Sequence, residues 1–202
     1  MRRSGLISLN QTVFFLCDIQ ERFRPLIFNM PTVINTAKLM VEAGNSLSVP
    51  IIATEQYSRV FGHTVSEIPL ESGNSEHKVP VFEKRKFSML TPELDPVFTV
   101  LERPSVVLFG IEAHVCILQT CLDLLDRGID VHLVCDGISS QRKYDRAVAL
   151  ERMKSCGAFL TTAESILFQL LGDSSDPRFK QISSLIKNHN ELLNEFASQD
   201  AI

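Results

Sequence analysis

A side-chain nucleophile needs a group to take its proton, a charge to steady it and a rigid place to stand. Three residues of this chain have those chemistries, and each follows an apolar run. Asp18 ends Val13-Phe14-Phe15-Leu16-Cys17, Lys84 follows Val79 to Phe82, and Cys116 comes soon after Ser105-Val106-Val107-Leu108-Phe109-Gly110. Polar companions fall at the same kind of place: Gln20 near Asp18, Glu55-Gln56-Tyr57 after a second run, Glu112 and His114 before Cys116, and Asp136 after a later run. Taken singly, each has a plainer account. An aspartate at a strand end often caps a turn, a lysine in Lys84-Arg85-Lys86 is ordinarily solvated, and a cysteine is most often a small buried hydrophobe. Cys116 differs because its spacing puts it where a strand turns into a helix, and there the first helical N–H groups and the positive end of the dipole favour a thiolate. A cationic Lys84 nearby adds to that, and Asp18 is suited to carry the thiol proton to a leaving group. Cys17, Cys135 and Cys156 read as inert, and strand alternation is expected to send Cys17 to the face opposite Asp18.

The elements that must position these residues form a repeating pattern of apolar run, loop, amphipathic helix and glycine. Strands are expected at 13–17, 50–54, 79–82, 105–110, 130–135 and 158–161. Between them, Val33, Ile34, Ala37, Met40 and Val41 recur at helical spacing, as do Ile117, Leu118, Cys121, Leu122 and Leu125. Thr91-Pro92-Glu93 reads as the opening of a short helix, and Gly128 and Gly157 as the ends of two others. Thr161-Thr162-Ala163-Glu164 has capping-box spacing. Strands alternating with helices in this way predict an α/β, three-layer, Rossmann-like fold with a mostly parallel sheet of about six strands. In such a sheet ligands bind outside the carboxyl ends of the strands, where Asp18, Lys84 and Cys116 all fall. Gln20, Phe23, Gln56, Tyr57 and His114 are then expected to line a small-molecule pocket. The long stretch from Tyr57 to Lys78, which holds Gly62, Pro69 and Gly73, is where a binding loop is expected. A last helix over about 178–197 carries Phe179, Ile182, Leu185, Ile186, Leu193 and Phe196; it either packs on its own domain or makes a subunit contact.

Bulk properties narrow the functions further. The 202 residues include 45% hydrophobic and 22% charged side chains, a balance that belongs to a folded globular chain, and the length fits one domain. A net charge of −4 disfavours binding to a phosphate backbone. Five cysteines, an odd number with no CxxC pair, fit neither a disulfide framework nor a zinc ribbon. No pair of histidines has metal-ligand spacing, so neither metal nor cofactor is expected. No apolar stretch reaches the ~18 residues of a membrane span, and the first residues fail as a signal peptide because Asn10 and Gln11 interrupt the apolar run. A cytoplasmic homo-oligomer is the expected setting.

The same residues resemble the isochorismatase-like cysteine hydrolases, a family that includes nicotinamidases and N-carbamoylsarcosine amidase. The matching pieces are Phe15-Leu16-Cys17-Asp18-Ile19-Gln20, Lys84-Arg85-Lys86-Phe87-Ser88 and Gly110-Ile111-Glu112-Ala113-His114-Val115-Cys116. Val134-Cys135-Asp136 and Gly157 to Glu164 follow in register, so the resemblance runs from about 13 to 171. Thr54-Glu55-Gln56-Tyr57 and the Gly110–Cys116 phrase most resemble eukaryotic isochorismatase-domain-containing proteins. The resemblance implies a catalytic triad of Asp18, Lys84 and Cys116, with Lys84 and not Lys86 in the matching place. It also implies a non-proline cis peptide at Ile111–Glu112 and an oxyanion hole of the Glu112 and Cys116 backbone N–H groups. Nicotinamidases carry an Asp-x-His metal motif where this chain reads Thr54-Glu55-Gln56-Tyr57 with His63 beyond, which implies neither their metal nor nicotinamide. The function so implied is hydrolysis of a small amide, ester or related C–N substrate through a covalent thioester. A catalytically silent binding protein is the alternative, and a ribonuclease ranks last.

Overall fold

The computed structural model describes residues 4–71 and 78–192. Strand β1 (Thr12–Cys17) is buried along its whole length, as its run of β-branched and aromatic residues requires of a strand covered on both faces. Helix α1 (Met30–Leu47) returns the chain to β2 (Ile51–Gln56), and a short helix α2 (Ser58–Phe61) starts the long excursion that ends in β3 (Val81–Lys84). Helix α3 (Asp95–Val100) leads to β4 (Ser105–Ile111). A π-helical turn (Ala113–Ile117) runs directly into α4 (Leu118–Asp126). Then come β5 (Asp130–Ser139), α5 (Lys143–Ser155), β6 (Phe159–Thr161), α6 (Ala163–Leu171) and α7 (Phe179–Glu191). The six strands are parallel, in the order β3-β2-β1-β4-β5-β6. Helices cover both faces: α1 packs with α6 and α7, and α4 packs with α5. No helix among the described residues is long and apolar enough to cross a membrane.

Several boundaries differ from the sequence reading for physical reasons. Strand β3 lies two residues later than expected because it is an edge strand, open to solvent at Val81 and set by its pairing with β2 through Ala53↔Val81 and Gln56↔Lys84. Thr91 caps a turn (Leu94 N–H donates to its Oγ1 at 3.3 Å) and the helix proper begins only at Asp95, with Pro96 in its first turn. The cap of α6 is Thr162, whose Oγ1 accepts from Ser165 N–H at 3.4 Å, one residue beyond the expected box. β5 runs four residues further than expected, past a shift in its register with β4 between Leu108 and Gly110. The last helix packs on its own chain: Ile182 and Ile186 are buried, and Asn35 Nδ2 donates to His189 O at 3.2 Å. Leu193 and Phe196, expected on this helix, lie outside the described residues.

Candidate active site

The connections from β1 and β4 leave in opposite directions along the sheet, so the ends of these two strands flank the crevice where open parallel sheets bind ligands. The strands approach closely there. Gly110 pairs with Cys17 at φ +124°, and a Cβ at this position would stand 2.1 Å from Cys17 O. Only glycine lets β4 lie this near β1.

Asp18 leaves β1 in the left-handed region, φ +53°. Its carboxylate is buried and held from two sides: Oδ1 accepts from Thr54 Oγ1 at 2.8 Å, and Oδ2 lies 2.7 Å from Lys84 Nζ. No other described hydroxyl or amide bonds Oδ2, so the ammonium is its partner. The two side chains are 2% and 0% exposed, which makes this a desolvated ion pair. Lys84 Nζ also donates to Gln56 Oε1 at 2.6 Å, Phe87 O at 2.9 Å and Lys86 O at 3.3 Å, and it lies 3.5 Å from Cys116 Sγ. Burial alone would lower the lysine pKa. The negative charge available at Cys17, Asp18 and Cys116 outweighs it, and the ammonium is held above its ordinary value. Lys86 turns away, to Leu90 O at 3.2 Å and Asp123 Oδ2 at 3.1 Å.

Cys116 stands on the π-helical turn and is 7% exposed. Thr120 ties this turn to the loop after β3: its Oγ1 donates to Cys116 O at 2.7 Å and accepts from Met89 N–H at 2.9 Å. The Ile111–Glu112 peptide before the turn is cis. The Glu112 carboxylate accepts from Gln141 N–H at 2.9 Å, and His114 Nδ1 pairs with Ser140 Oγ at 2.9 Å.

The residues expected to line the pocket divide into two groups. Gln20 is fully buried, and its amide is engaged by backbone: Nε2 donates to Gln56 O and Gly62 O at 3.0 and 2.6 Å, and Oε1 accepts from Gln56 N–H at 2.7 Å. It clasps the loop. Gln56 likewise serves Lys84. Phe23 stacks on Phe61 at 4.7 Å, the Arg85 guanidinium covers the Tyr57 ring at 4.1 Å, and Lys143 lies 4.5 Å over the Phe28 ring. Phe28, Phe61, Thr120 and Ser140 were not singled out in the sequence; the signals it held were that Phe28 follows the Asp18 segment and that Phe61 lies in the long stretch after Tyr57. Asp136 lies away from this cluster. It accepts from Ala163 N–H at 3.0 Å and so holds the start of α6, with burial pushing its pKa up to about 6.

Cys17 corrects the sequence reading. Alternation requires extended backbone, and the left-handed Asp18 breaks it, so both neighbours face the crevice. The Cys17 and Cys116 sulfurs and a carboxylate oxygen of Asp18 all lie within 4.8 Å of one another. Burial, a hydrogen bond with Cys116 and the negative charge of Asp18 raise the Cys17 thiol well above its ordinary pKa. These three atoms are near enough to one another to be candidate ligands for a metal ion. Where nicotinamidases carry their metal motif, Glu55 accepts from Thr64 N–H at 2.7 Å and pairs with His63 Nδ1 at 2.9 Å, so its carboxylate fastens the loop.

A three-layer parallel α/β fold with a buried Asp–Lys pair against a helix-borne thiol at the switch point defines a class of hydrolase-like domains. The isochorismatase domain profile matches residues 12–165, and the chain belongs to that family. It is 50% identical over 199 residues to the secreted isochorismatase effector Isc1 of Phytophthora sojae, covering 96% of this chain and 93% of that protein. Isochorismatase domain-containing protein 2 of Xenopus laevis is 43% identical, with 92% and 88% of the two chains covered. Among solved structures, the MAR1 ribonuclease of Caenorhabditis elegans superposes with a TM-score of 0.84 at 40% identity, covering 90% of this chain and 92% of that one.

Proposed function

We propose that this chain is a cysteine hydrolase for small amides, esters or related C–N compounds. The observation that carries the reading is the buried convergence of Asp18, Lys84 and Cys116, with 2.7 Å between the charges of the pair and 3.5 Å from the ammonium to the sulfur. Asp18 accepts the Cys116 thiol proton, and the sulfur bonds to the substrate carbonyl carbon. The backbone N–H groups of Glu112 and Cys116 receive the developing oxyanion. Asp18 returns its proton to the leaving group as the C–N or C–O bond breaks, leaving a thioester on Cys116. Water then attacks the thioester carbon as Asp18 takes its proton, the C–S bond breaks to release the acid, and Asp18 hands the proton to the sulfur to restore the thiol. Lys84 pairs with Asp18 and steadies the sulfur. A silent binding protein has no need of a buried charge pair beside a thiol, and burying one is costly without a use.

A ribonuclease is the second reading, favoured by the name of the C. elegans relative. Against it stand the net charge of −4 and a nucleophile flanked by lysine and aspartate, with no pair of histidines for acid–base work among the described residues. A panel of small amides, esters and carbamoyl compounds, with a structured RNA in parallel, tests both readings against Cys116→Ala. Turnover of a small substrate with an acyl adduct on Cys116 by intact mass supports the hydrolase. RNA cleavage that survives Cys116→Ala, with no small substrate turned over, overturns it.

A further inference from the structure

We propose that Cys17, Asp18 and Cys116 form a binding site for a thiophilic divalent cation, zinc or cadmium, and that its occupancy disables the nucleophile. Two thiolates and one carboxylate on a tetrahedral zinc, at about 2.3 Å for sulfur and 2.0–2.2 Å for oxygen, stand roughly 3.6–3.8 Å from one another. The three donor atoms here lie within 4.8 Å of one another and all are buried, so rotamer adjustment closes the remaining gap. Two soft sulfurs select against magnesium and calcium, which take oxygen ligands. Three protein donors leave a fourth position for water or a small ligand.

Lys84 sits beside the cluster, 3.5 Å from Cys116 Sγ, and that contact must open for the sulfur to take the ion. Its ammonium is anchored by Gln56 Oε1, Phe87 O and Lys86 O as well as by Asp18. Asp18 Oδ2 carries no hydrogen bond besides that ion pair, so this oxygen has a lone pair for a metal while keeping the lysine. Charge also balances. A divalent ion binds both sulfurs and the two thiol protons leave to solvent, so the buried site, with one carboxylate and one ammonium, stays as neutral as before. An uncompensated buried charge, the usual obstacle to a cation in such a place, does not arise. What Cys17 adds is specific: a lone Cys116 would offer one sulfur, and the break in alternation at Asp18 supplies the second.

Binding rests on this geometry alone, whereas the loss of hydrolysis rests on the hydrolase reading above. The test titrates reduced, chelator-treated full-length protein with Cd²⁺, follows the thiolate-to-metal charge-transfer absorbance, and obtains zinc affinity by competition. One ion per chain is expected, with an absorbance that falls to about half in both Cys17→Ala and Cys116→Ala. Zinc affinity should drop at least about 100-fold in each, the upper end of what loss of a supporting partner causes, while Cys156→Ser at the exposed cysteine changes neither. Cys116 lies on a turn outside the strands, so its variant reports even if Cys17→Ala does not fold. No saturable absorbance in the wild type, or unchanged affinity in Cys116→Ala, overturns the proposal. Zinc is then added to the hydrolysis panel. Two-sulfur binding without any hydrolysis leaves this site standing and removes the hydrolase reading; hydrolysis indifferent to saturating zinc does the reverse.

Discussion

Replacing Lys84 by methionine keeps most of the stem volume and deletes the ammonium, which isolates what that charge does for Asp18. The carboxylate, 2% exposed, is then left without the charge partner that Lys84 supplies. Removing one member of a buried pair costs about 3–5 kcal/mol. The fold has an escape, because the carboxylate can take up a proton. Protonating an ordinary aspartate at pH 7 costs about 4 kcal/mol, three units at 1.36 kcal/mol each. The charge penalty cannot exceed that figure. Gln56 Oε1 and Phe87 O also lose their donor, adding about 1 kcal/mol apiece where they stay dry. Lys84→Met should therefore unfold about 3–6 kcal/mol more easily than the wild type at pH 7 in urea titrations followed by circular dichroism. Its deficit should shrink at pH 5, since a buried carboxyl that binds its proton more tightly folded than unfolded loses stability as pH rises. Asp18→Asn added to Lys84→Met removes the stranded charge and should restore at least about 2 kcal/mol. If Lys84→Met costs under about 1 kcal/mol, or if the double variant is the sum of the single ones, the pair does not carry the strain assigned to it.

Other outcomes follow from the same contacts. Asp136 has a folded pKa pushed up to about 6 from an ordinary 3.8, so its stabilisation is complete below 3.8 and is lost as pH rises through 6. Asp136→Asn, still able to accept from Ala163 N–H, should remove up to about 3 kcal/mol of that pH dependence in thermal unfolding between pH 4 and 7, and an unchanged slope would count against the burial argument. Gly110→Ala must move β1 from β4 because its Cβ would meet Cys17 O at 2.1 Å; a loss of at least about 3 kcal/mol is expected, and a loss below 1 would show that the strands yield. Thr120→Val preserves shape but strands the buried Met89 N–H, so about 1–3 kcal/mol of stability should go, with kcat falling more than KM rises. Iodoacetamide at pH 7 should label Cys116 and the exposed Cys156 before Cys17 or Cys121, whose thiols burial raises, Cys121 to about 12; peptide mass spectrometry showing Cys17 first would refute this order.

The sheet was legible because its inner strands are short, continuous apolar runs, as in Val13–Leu16 and Val106–Phe109, and such runs have few other uses. β3 was misplaced for the opposite reason. Val81-Phe82-Glu83-Lys84 is mixed in polarity, and an edge strand takes its limits from its neighbour. The positions of Asp18, Lys84 and Cys116 at strand ends were readable from spacing. Two features of the site were not. Alternation holds only while the backbone is extended, and nothing in Cys17-Asp18-Ile19 announces a left-handed aspartate. Nor does an amide side chain reveal how far the main chain will engage it, as Gln56 and Gly62 engage Gln20.

The π-helical turn that carries Cys116 bears on how this chain tolerates insertions and deletions. A helix advances about 100° per residue, and α4 continues from that turn without a break. One residue gained or lost between Glu112 and Thr120 would rotate Thr120 away from Met89 or swing the sulfur from the ammonium, and no later adjustment could restore both. The described part of the loop after Tyr57 is held differently, by separate ties from Gln20 to Gly62, Glu55 to Thr64, Ile19 O to Val65 N–H and Arg24 to Glu67. An insertion is therefore better borne in that loop, where each contact is a separate tie, than across the turn, where one helical phase sets both Thr120 and the Cys116 sulfur.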